Sequence, residues 1–535
     1  MSTLINRQSF RFKDHWKTDL VAGFLVFLLA LPLSLGIAKA SGFPAAMGVF
    51  AAIVGGLATS WFKVAPLTIK GPAAGLITIC SAAVLEFGGE TQGWQIAAAA
   101  ITVAALIQIA FGFLKFGSLS DLFPHSAVHG MLAAIGIIII VKQIPVLLGD
   151  EPSLYAGEGP IELILDIPEF ITHAHWHIAV VGIVGLFIMF LIPQLKHPVF
   201  RKIPAPIVVL LLTVPMSIFW HFSESEPSYS LVQIGDFWGT MKINADYSWL
   251  AKFVFWKYVL MILFVNSLES LLTVKAIDNV DPHHRKSDYN ADLKALGVGN
   301  FFSGLFGGLP IISEVVRSSS NVSFGATTKW SNFFHGLFLL IAMLLLIPTI
   351  EMIPNAALAA MLIYAGYRLA APKHFIEIWK VGKEQLAIFL ITIIVTLLED
   401  LLLGIFAGIF VKMIFHLVNG ATFKSLFKPR FLIQEQKDEI YIQILDATLF
   451  THLVKYQKVF NQIPNNKNVT MDFKECKLID HSFMEFVSNF VHEHDLEGSN
   501  VSLVGLENHV MLSDHPLATR KLKLVFINLR ICHGR

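Results

Sequence analysis

Fourteen mostly apolar stretches recur between residues 20 and 419, many of them close to the ~20 residues that a helix needs to cross a bilayer. The hydrocarbon core offers no water to the backbone. A chain built this way must therefore bundle helices, and can break them only where protein or an aqueous cavity covers the break. The stretches run over 20–40, 44–62, 72–87, 94–115, 124–148, 174–194, 203–222, 255–276, 291–309, 311–323, 331–349, 353–370, 385–399 and 401–419. Composition agrees. Only 15% of the 535 residues are charged, against roughly 25% in soluble domains, and mean hydropathy is +0.64. The lipid bilayer is thus an expected partner. A formal net charge of +1 gives no electrostatic reason to expect nucleic acid. Cys80, Cys476 and Cys532 lie far apart and indicate neither a disulfide framework nor a zinc site. The polar segment from Met1 to Lys17 lacks a cleavage-site pattern, and the apolar run after it is too long for a signal peptide, so it is expected to be a retained span.

Loop charge tests the count independently. Arg7, Arg11, Lys13 and Lys17 precede the first run. Lys196, Arg201 and Lys202 follow the sixth; Lys275, Arg285, Lys286 and Lys294 follow the eighth; Lys373, Lys380 and Lys383 follow the twelfth. The loops around Glu86–Glu90, Asp150–Glu158, Glu351 and Glu399–Asp400 are acidic or nearly uncharged. Basic loops stay on the cytoplasmic side. This alternation predicts an even number of spans, both termini cytoplasmic, and a bacterial inner membrane.

Spans three and ten are short, and each follows a break: Gly71-Pro72 before one, Gly307-Gly308-Leu309-Pro310 before the other. They fall at matching places if the chain is two seven-span halves. Val54-Gly55-Gly56-Leu57 faintly echoes Phe306-Gly307-Gly308-Leu309. Paired interrupted segments of this kind point to a transporter's binding site. After about residue 428 the composition changes. Ile440–Leu445, Val469–Phe473 and Val501–Leu506 read as strands, and Ser482–His494 has helical spacing through Phe483, Phe486, Val487, Phe490 and Val491. A small cytoplasmic α/β domain is expected there.

Ionisable groups at membrane depth are costly, which makes each a candidate for function. Glu269 lies inside span eight, with Thr273 on the same face four residues later. A carboxylate with a hydroxyl above it suits Na⁺ or a proton; it also suits an interhelical hydrogen bond. Glu314 and Arg317 are three apart in half-helix ten, so a same-face ion pair is available. The amides that open half-helices three and ten, at Ala73, Ala74 and Gly75 and at Ser313, Glu314 and Val315, offer partial positive charge to an anion. Arg317 would add a full charge, or merely neutralise Glu314 or snorkel to the cytoplasm. Glu314 beside an anion is repulsive unless it is protonated or paired. Lys142, His125, His129 and His335 are weaker candidates, and His283-His284 reads as a solvated loop pair. No G-x-G-x-x-G, Walker A, H-E-x-x-H or nucleophile-elbow pattern occurs, so neither an enzyme nor ATP-driven transport is expected.

Several of these stretches resemble one family. Asp19-Leu20-Val21-Ala22-Gly23 with Ala30-Leu31-Pro32-Leu33-Ser34-Leu35-Gly36-Ile37-Ala38 resembles the first-helix motif of the SulP anion transporters. Ile69-Lys70-Gly71-Pro72-Ala73-Ala74-Gly75 resembles their third span, and Asn300 to Pro310 with Arg317-Ser318-Ser319-Ser320-Asn321-Val322 their ninth and tenth. The tail, with Met471-Asp472-Phe473 and Asp480-His481-Ser482, resembles a STAS domain. The resemblance covers nearly the whole chain. It implies a cytoplasmic arm over 1–19, a transport domain over 20–420 and a STAS-like domain over 430–525. It further implies two inverted seven-span repeats, with a moving core of spans one to four and eight to eleven. Spans five to seven and twelve to fourteen would form the gate. An elevator-like mechanism, a homodimer, and substrates such as sulfate, bicarbonate, chloride or dicarboxylates follow from the same resemblance. In sodium-coupled bicarbonate members a span-eight carboxylate and a Thr four residues later bind the ion, matching Glu269 and Thr273. Ala73 and Ser313–Val315 match anion-contacting positions. Glu314 stands where the family commonly has a small residue, and Phe483 where Gly usually follows the STAS serine.

The expectation is a secondary active symporter of a small inorganic anion, bicarbonate or sulfate, with no cofactor beyond Na⁺ as a possible coupling ion. Related nucleobase carriers place carboxylates on spans eight and ten, so a proton-coupled carrier of a neutral or weakly acidic solute is the alternative. An uncoupled exchanger or channel, and a receptor that moves no solute, are the other classes.

Overall fold

The computed structural model describes residues 12–89, 91–117, 124–150, 158–195, 204–225, 227, 230–235, 237–283, 285–399, 401–435, 439–460, 462–464, 467–496 and 500–523. Arg7, Arg11, Glu90, Lys196, Arg201, Lys202, His284, Asp400 and Cys532 lie outside them, as do most of the Asp150–Glu158 loop and the last two residues of the expected 430–525 domain.

Each apolar run contains a helix. In order these are α1 (Phe12–Ala40), α2 (Ala45–Leu57), α3 (Ile77–Glu86), α4 (Gly93–Phe113), α5 (His125–Leu148), α6 (Trp176–Leu191), α7 (Ala205–Phe219), α8 (Phe253–Val280), α9 (Tyr289–Leu305), α10 (Val315–Ser323), α11 (Trp330–Leu345), α12 (Asn355–Leu369), α13 (Lys383–Leu398) and α14 (Leu401–Val418). Among the described residues, α1, α4, α5, α6 with its following turn, and α8 are long and apolar enough to cross a bilayer alone; α2, α3, α7, α11 and α14 are shorter apolar helices. Leu106, Phe113, Phe187, Leu211, Phe219 and Phe410 are exposed on these helices, where lipid rather than protein would solvate them. The chain is a multi-pass helical membrane protein.

Packing divides the chain into two compact units, Met1–Ser120 with Leu132–Ala370, and Asp121–Met131 with Ala371–Arg535. In the first, α9 packs along α4 and α11 along α1. In the second, the start of α5 packs with α13, where the Ser126 hydroxyl donates to Gln385 Oε1 at 2.6 Å. The second unit thus takes in α13 and α14 along with the start of α5.

The second unit ends in a mixed sheet built on β3 (Arg430–Glu435), β4 (Glu439–Thr448), β5 (Asn468–Asp472), β6 (Cys476–Ile479), β7 (Val501–Val504), β8 (His509–Met511) and β9 (Arg520–Leu522). Strand order is β7-β5-β4-β6-β9-β8, with β3 antiparallel along β4. The first half of β4 pairs in parallel with β5; beyond a register shift at Asp446/Ala447 it pairs with β6. Helices α15 (Leu453–Phe460) and α16 (His481–Leu496) complete the domain. Alternation along β4 buries Ile440, Ile442 and Ile444 against Met471, Phe473 and Phe483. Each such side chain contributes roughly 1.5–3 kcal/mol. Phe483 is fully buried with its ring 4.7 Å from that of Tyr456, which gives a packing reason for Phe in place of Gly.

Candidate functional site

The two interrupted segments meet. Lys70–Pro72 (β1′) and Ile311–Ser313 (β2′) form an antiparallel two-stranded ladder, pairing Lys70 with Ser313, Gly71 with Ile312 and Pro72 with Ile311. All six residues are buried. Open sheet edges at membrane depth leave unsatisfied backbone groups, each costing several kcal/mol. Asparagines close both edges here. Asn300 Oδ1 accepts from the Ile311 amide at 2.5 Å, while Asn300 and Asn266 donate to the Ile311 carbonyl. On the other edge Asn332 Oδ1 accepts from the Lys70 amide at 2.9 Å. Gln108 ties Asn266 and Asn300 together. The half-helices leave this ladder. A 3-10 turn, Ala74–Leu76, leads into α3, with Ala73 extended before it. α10 opens at Val315, with Glu314 as its N-cap.

Charge is concentrated around the ladder. Lys70 and Asp292 form a buried ion pair at 2.8 Å; the Lys70 ammonium also donates to Thr68 Oγ1 and Ser313 Oγ. Arg317 is fully buried, yet none of its three guanidinium nitrogens has a hydrogen-bond partner among the described residues. The nearest recorded carboxylate oxygen, Glu314 Oε2, is 4.0 Å from Arg317 Nε. That carboxylate is otherwise engaged, accepting from the Arg317 backbone amide at 2.6 Å. Gly71 makes room for the guanidinium, since a Cβ there would stand 2.5 Å from Nη1. Gly75 does the same for Glu269, whose Oε1 would lie 1.9 Å from an added Cβ and has no hydrogen-bond partner. Thr273 is buried on the same helix, α8. His335, on α11, is buried with both ring nitrogens unpartnered among the described residues. Buried polar groups are nearly always paired, so this concentration of open donors and acceptors makes the ladder the candidate site.

Predicted residues from α3, α8 and α10 thus lie around one ladder, but the amides of Ser313 and Glu314 are less open than expected. The Ser313 amide donates to Ser270 Oγ at 3.4 Å and the Glu314 amide to the Ile69 carbonyl at 3.0 Å. The cause is the ladder itself, which extends strand pairing to the start of α10. Ala73, Ala74, Gly75, Val315, Glu269 and Arg317 remain beside it, and Thr273 is buried four residues along α8 from Glu269. Sequence reasoning missed the Lys70–Asp292 pair and the edge-closing Asn300 and Asn332. An acid inside the run 291–309 and a base just ahead of the run 72–87 were the available signal for the pair; the asparagines carried none. In the C-terminal domain, Ser482 Oγ accepts from Lys412 Nζ at 2.9 Å and is nearly buried, so its hydroxyl is engaged.

Solved structures share this fold. The transmembrane domain of a cyanobacterial bicarbonate transporter, BicA, superposes with a TM-score of 0.64 at 21% identity, covering 75% of this chain and 98% of that one. The murine Solute Carrier 26 family member A9 anion transporter, in its inward-facing state, gives 0.67 at 16% identity, covering 92% and 86%. Among sequences, YvdB of Bacillus subtilis is 24% identical over 380 residues, 69% of this chain and 68% of that one. The bicarbonate transporter BicA of Picosynechococcus is 25% identical over 360 residues, 65% of this chain. The matched part spans only 61% of BicA's length. The profile described as the sulfate permease family matches residues 16–392, well over half of the chain, and the protein belongs to that family of transporters.

Proposed function

We propose that this protein carries a small inorganic anion, sulfate or bicarbonate, across a membrane, with Arg317 as the anion's charged ligand. One observation carries the reading: a guanidinium wholly buried, with all three nitrogens unpartnered among the described residues. An oxyanion would satisfy it with bidentate charge-assisted hydrogen bonds. Ala73, Ala74 and Gly75, at the turn opening α3, and Ser313 and Val315, beside the start of α10, would complete the cradle. Relatives named as bicarbonate and sulfate transporters support the substrate class.

Glu269, with one oxygen unpartnered and Thr273 on the same helix, would hold the coupling ion, H⁺ or Na⁺. Fourteen spans in two inverted repeats, cytoplasmic termini, an inner-membrane location, a homodimer and an elevator motion of core against gate belong to the same proposal. So does a STAS domain over 430–525. A second reading rests on the pair of carboxylates: Glu269 and Glu314 would be ligands of a neutral or weakly acidic solute carried with protons.

Uptake of labelled sulfate and bicarbonate into proteoliposomes under imposed Na⁺ or H⁺ gradients tests both. Uptake of one anion driven by one gradient is the expected result. Absence of anion uptake under every gradient would sink the anion reading and favour the neutral-solute carrier.

A further inference from the structure

The second unit contains a cavity of about 160 Å³ that anion transport leaves unused. Its polar lining is His125, His129, His374, His481 and His515 with Glu377 and Glu485. These side chains come from the first two turns of α5, the helix Pro372–Val381, the start of α16, and the connection between β8 and β9. His125 and His129 were visible in the sequence as lone helix-end histidines. The fold supplies them with company.

Hydrogen bonds assign the ring protons. His481 Nδ1 is 2.7 Å from the Leu517 carbonyl, so Nδ1 carries the hydrogen and Nε2 keeps its lone pair. His374 Nδ1 is 3.3 Å from Glu377 Oε2, with the same consequence. Backbone carbonyls and carboxylates orient metal-ligating imidazoles in this way. His515 is the opposite case: the Leu517 amide donates to its Nδ1 at 3.2 Å, which leaves the hydrogen on Nε2 and makes it a donor. His125 and His129 are one helical turn apart, and their Nε2 atoms face each other at 3.0 Å. Two neutral rings can hold that geometry only by sharing one hydrogen between two lone pairs.

We propose that this cavity binds a borderline divalent transition-metal ion of the Zn²⁺ class, chelated by Nε2 of His125 and His129 and completed by Nε2 of His374 or His481. Nitrogens each about 2.0–2.1 Å from a tetrahedral Zn²⁺ stand about 3.3 Å apart, so the pair must part by only a few tenths of an ångström, and the shared hydrogen moves to Nδ1 of the ring that donated it, leaving two neutral Nε2 ligands. Among the described residues no three donors already meet at coordination distance. The further ligands arrive by side-chain rotation within the cavity, from rings centred 5.7 Å (His374 to His129) and 6.3 Å (His481 to His125) away. Imidazole and carboxylate together select zinc, copper, nickel or cobalt over calcium and magnesium. Helix N-termini at α5, Pro372–Val381 and α16 oppose a cation with their partial positive charge; Glu377 and Glu485 offset it. An ion here would tie the first turn of α5 to the C-terminal domain.

Titration of metal-free, tag-free full-length protein in detergent with Co²⁺ and Zn²⁺ tests the site. One ion per chain is expected, with the strong visible band of tetrahedral Co²⁺ displaced by Zn²⁺. Affinity should fall at least tenfold in His125→Ala/His129→Ala, less in His481→Ala, and stay unchanged in His515→Ala. His129→Gln guards against misfolding: lost binding with an unchanged metal-free Tm supports the chelate. Absence of saturable binding, or affinity that survives both His129→Gln and the double substitution, would overturn it.

Discussion

Arg317 and Lys412 are both cations with almost no exposed surface, and the fold treats them oppositely. Lys412 Nζ donates to Ser482 Oγ at 2.9 Å and lies 3.2 Å from Asp480 Oδ2. Asp480 in turn accepts the Phe450 and Phe483 amides, at 2.9 and 2.7 Å. Burial alone would push the Asp480 carboxyl up. The Lys412 ammonium and the neighbouring His416 outweigh it and hold the group well below the usual carboxylate range. Around Arg317 the three guanidinium nitrogens have no such partners. A satisfied buried charge is architecture, since removing one member strands the other. An unsatisfied one costs folding energy that a ligand returns on binding. The difference separates a structural lock from a candidate ligand site without reference to any relative.

The comparison breaks most visibly at Asp480. Asp480→Asn leaves Lys412 buried without its counter-ion and should cost about 3–5 kcal/mol, read as a lowered denaturant midpoint for the C-terminal domain. Lys70→Met should cost a similar amount in the membrane unit by stranding Asp292. Arg317→Met should leave stability unchanged or raise it. If it destabilised as much as Asp480→Asn, the guanidinium would be structural after all.

The C-terminal domain also has a pH liability. Burial pushes the His452 imidazole down from 6.5 to about 4. Between those values the unfolded chain binds the proton and the folded one does not. The contribution is thus fully present above about pH 6.5 and is lost as pH falls toward 4. About 3 kcal/mol is at stake, and His452→Phe should flatten that part of the stability profile.

Arg317 is tested by flux. Hydrogen bonds to a charged group are worth about 1.5–3 kcal/mol, so Arg317→Met should weaken anion uptake roughly ten- to hundredfold in proteoliposomes. Unchanged uptake with the variant folded would remove Arg317 from the anion path.

Legibility followed the length of the signal. The apolar runs located the helices of the membrane region, most within a few residues; α1 begins eight residues ahead of its run, at Phe12. The Gly71-Pro72 and Gly307-Gly308-Leu309-Pro310 breaks marked where the two segments are interrupted, and the ladder forms at those breaks. Strand β3 escaped because Arg430–Glu435 is almost wholly exposed and lacks buried alternation; β6, β8 and β9 escaped too, the last two only three residues each. Lys70 and Asp292 lie 222 positions apart, and only folding pairs them. The cap role of Glu314 was hidden for a different reason. A carboxylate three residues before an arginine reads as an ion pair, yet here it binds the arginine's amide more closely than its side chain.

That last point gives the finest test. Glu314 can act on transport as a cap that fixes the start of α10 or as a negative charge beside the anion, and two substitutions separate these. Glu314→Gln keeps an accepting oxygen for the Arg317 amide and removes the charge. Glu314→Ala removes both. Loss of the cap should cost about 1 kcal/mol, lowering Tm in Glu314→Ala alone. A unit charge 4 Å from another contributes about 1 kcal/mol at water-like screening, so removing it should lower KM for a monovalent anion about fivefold in both variants. A lower KM shared by both would place the carboxylate's charge in the anion's field. If KM stayed constant in both while Tm fell only in Glu314→Ala, Glu314 would belong with Asp480 among the residues that hold the fold.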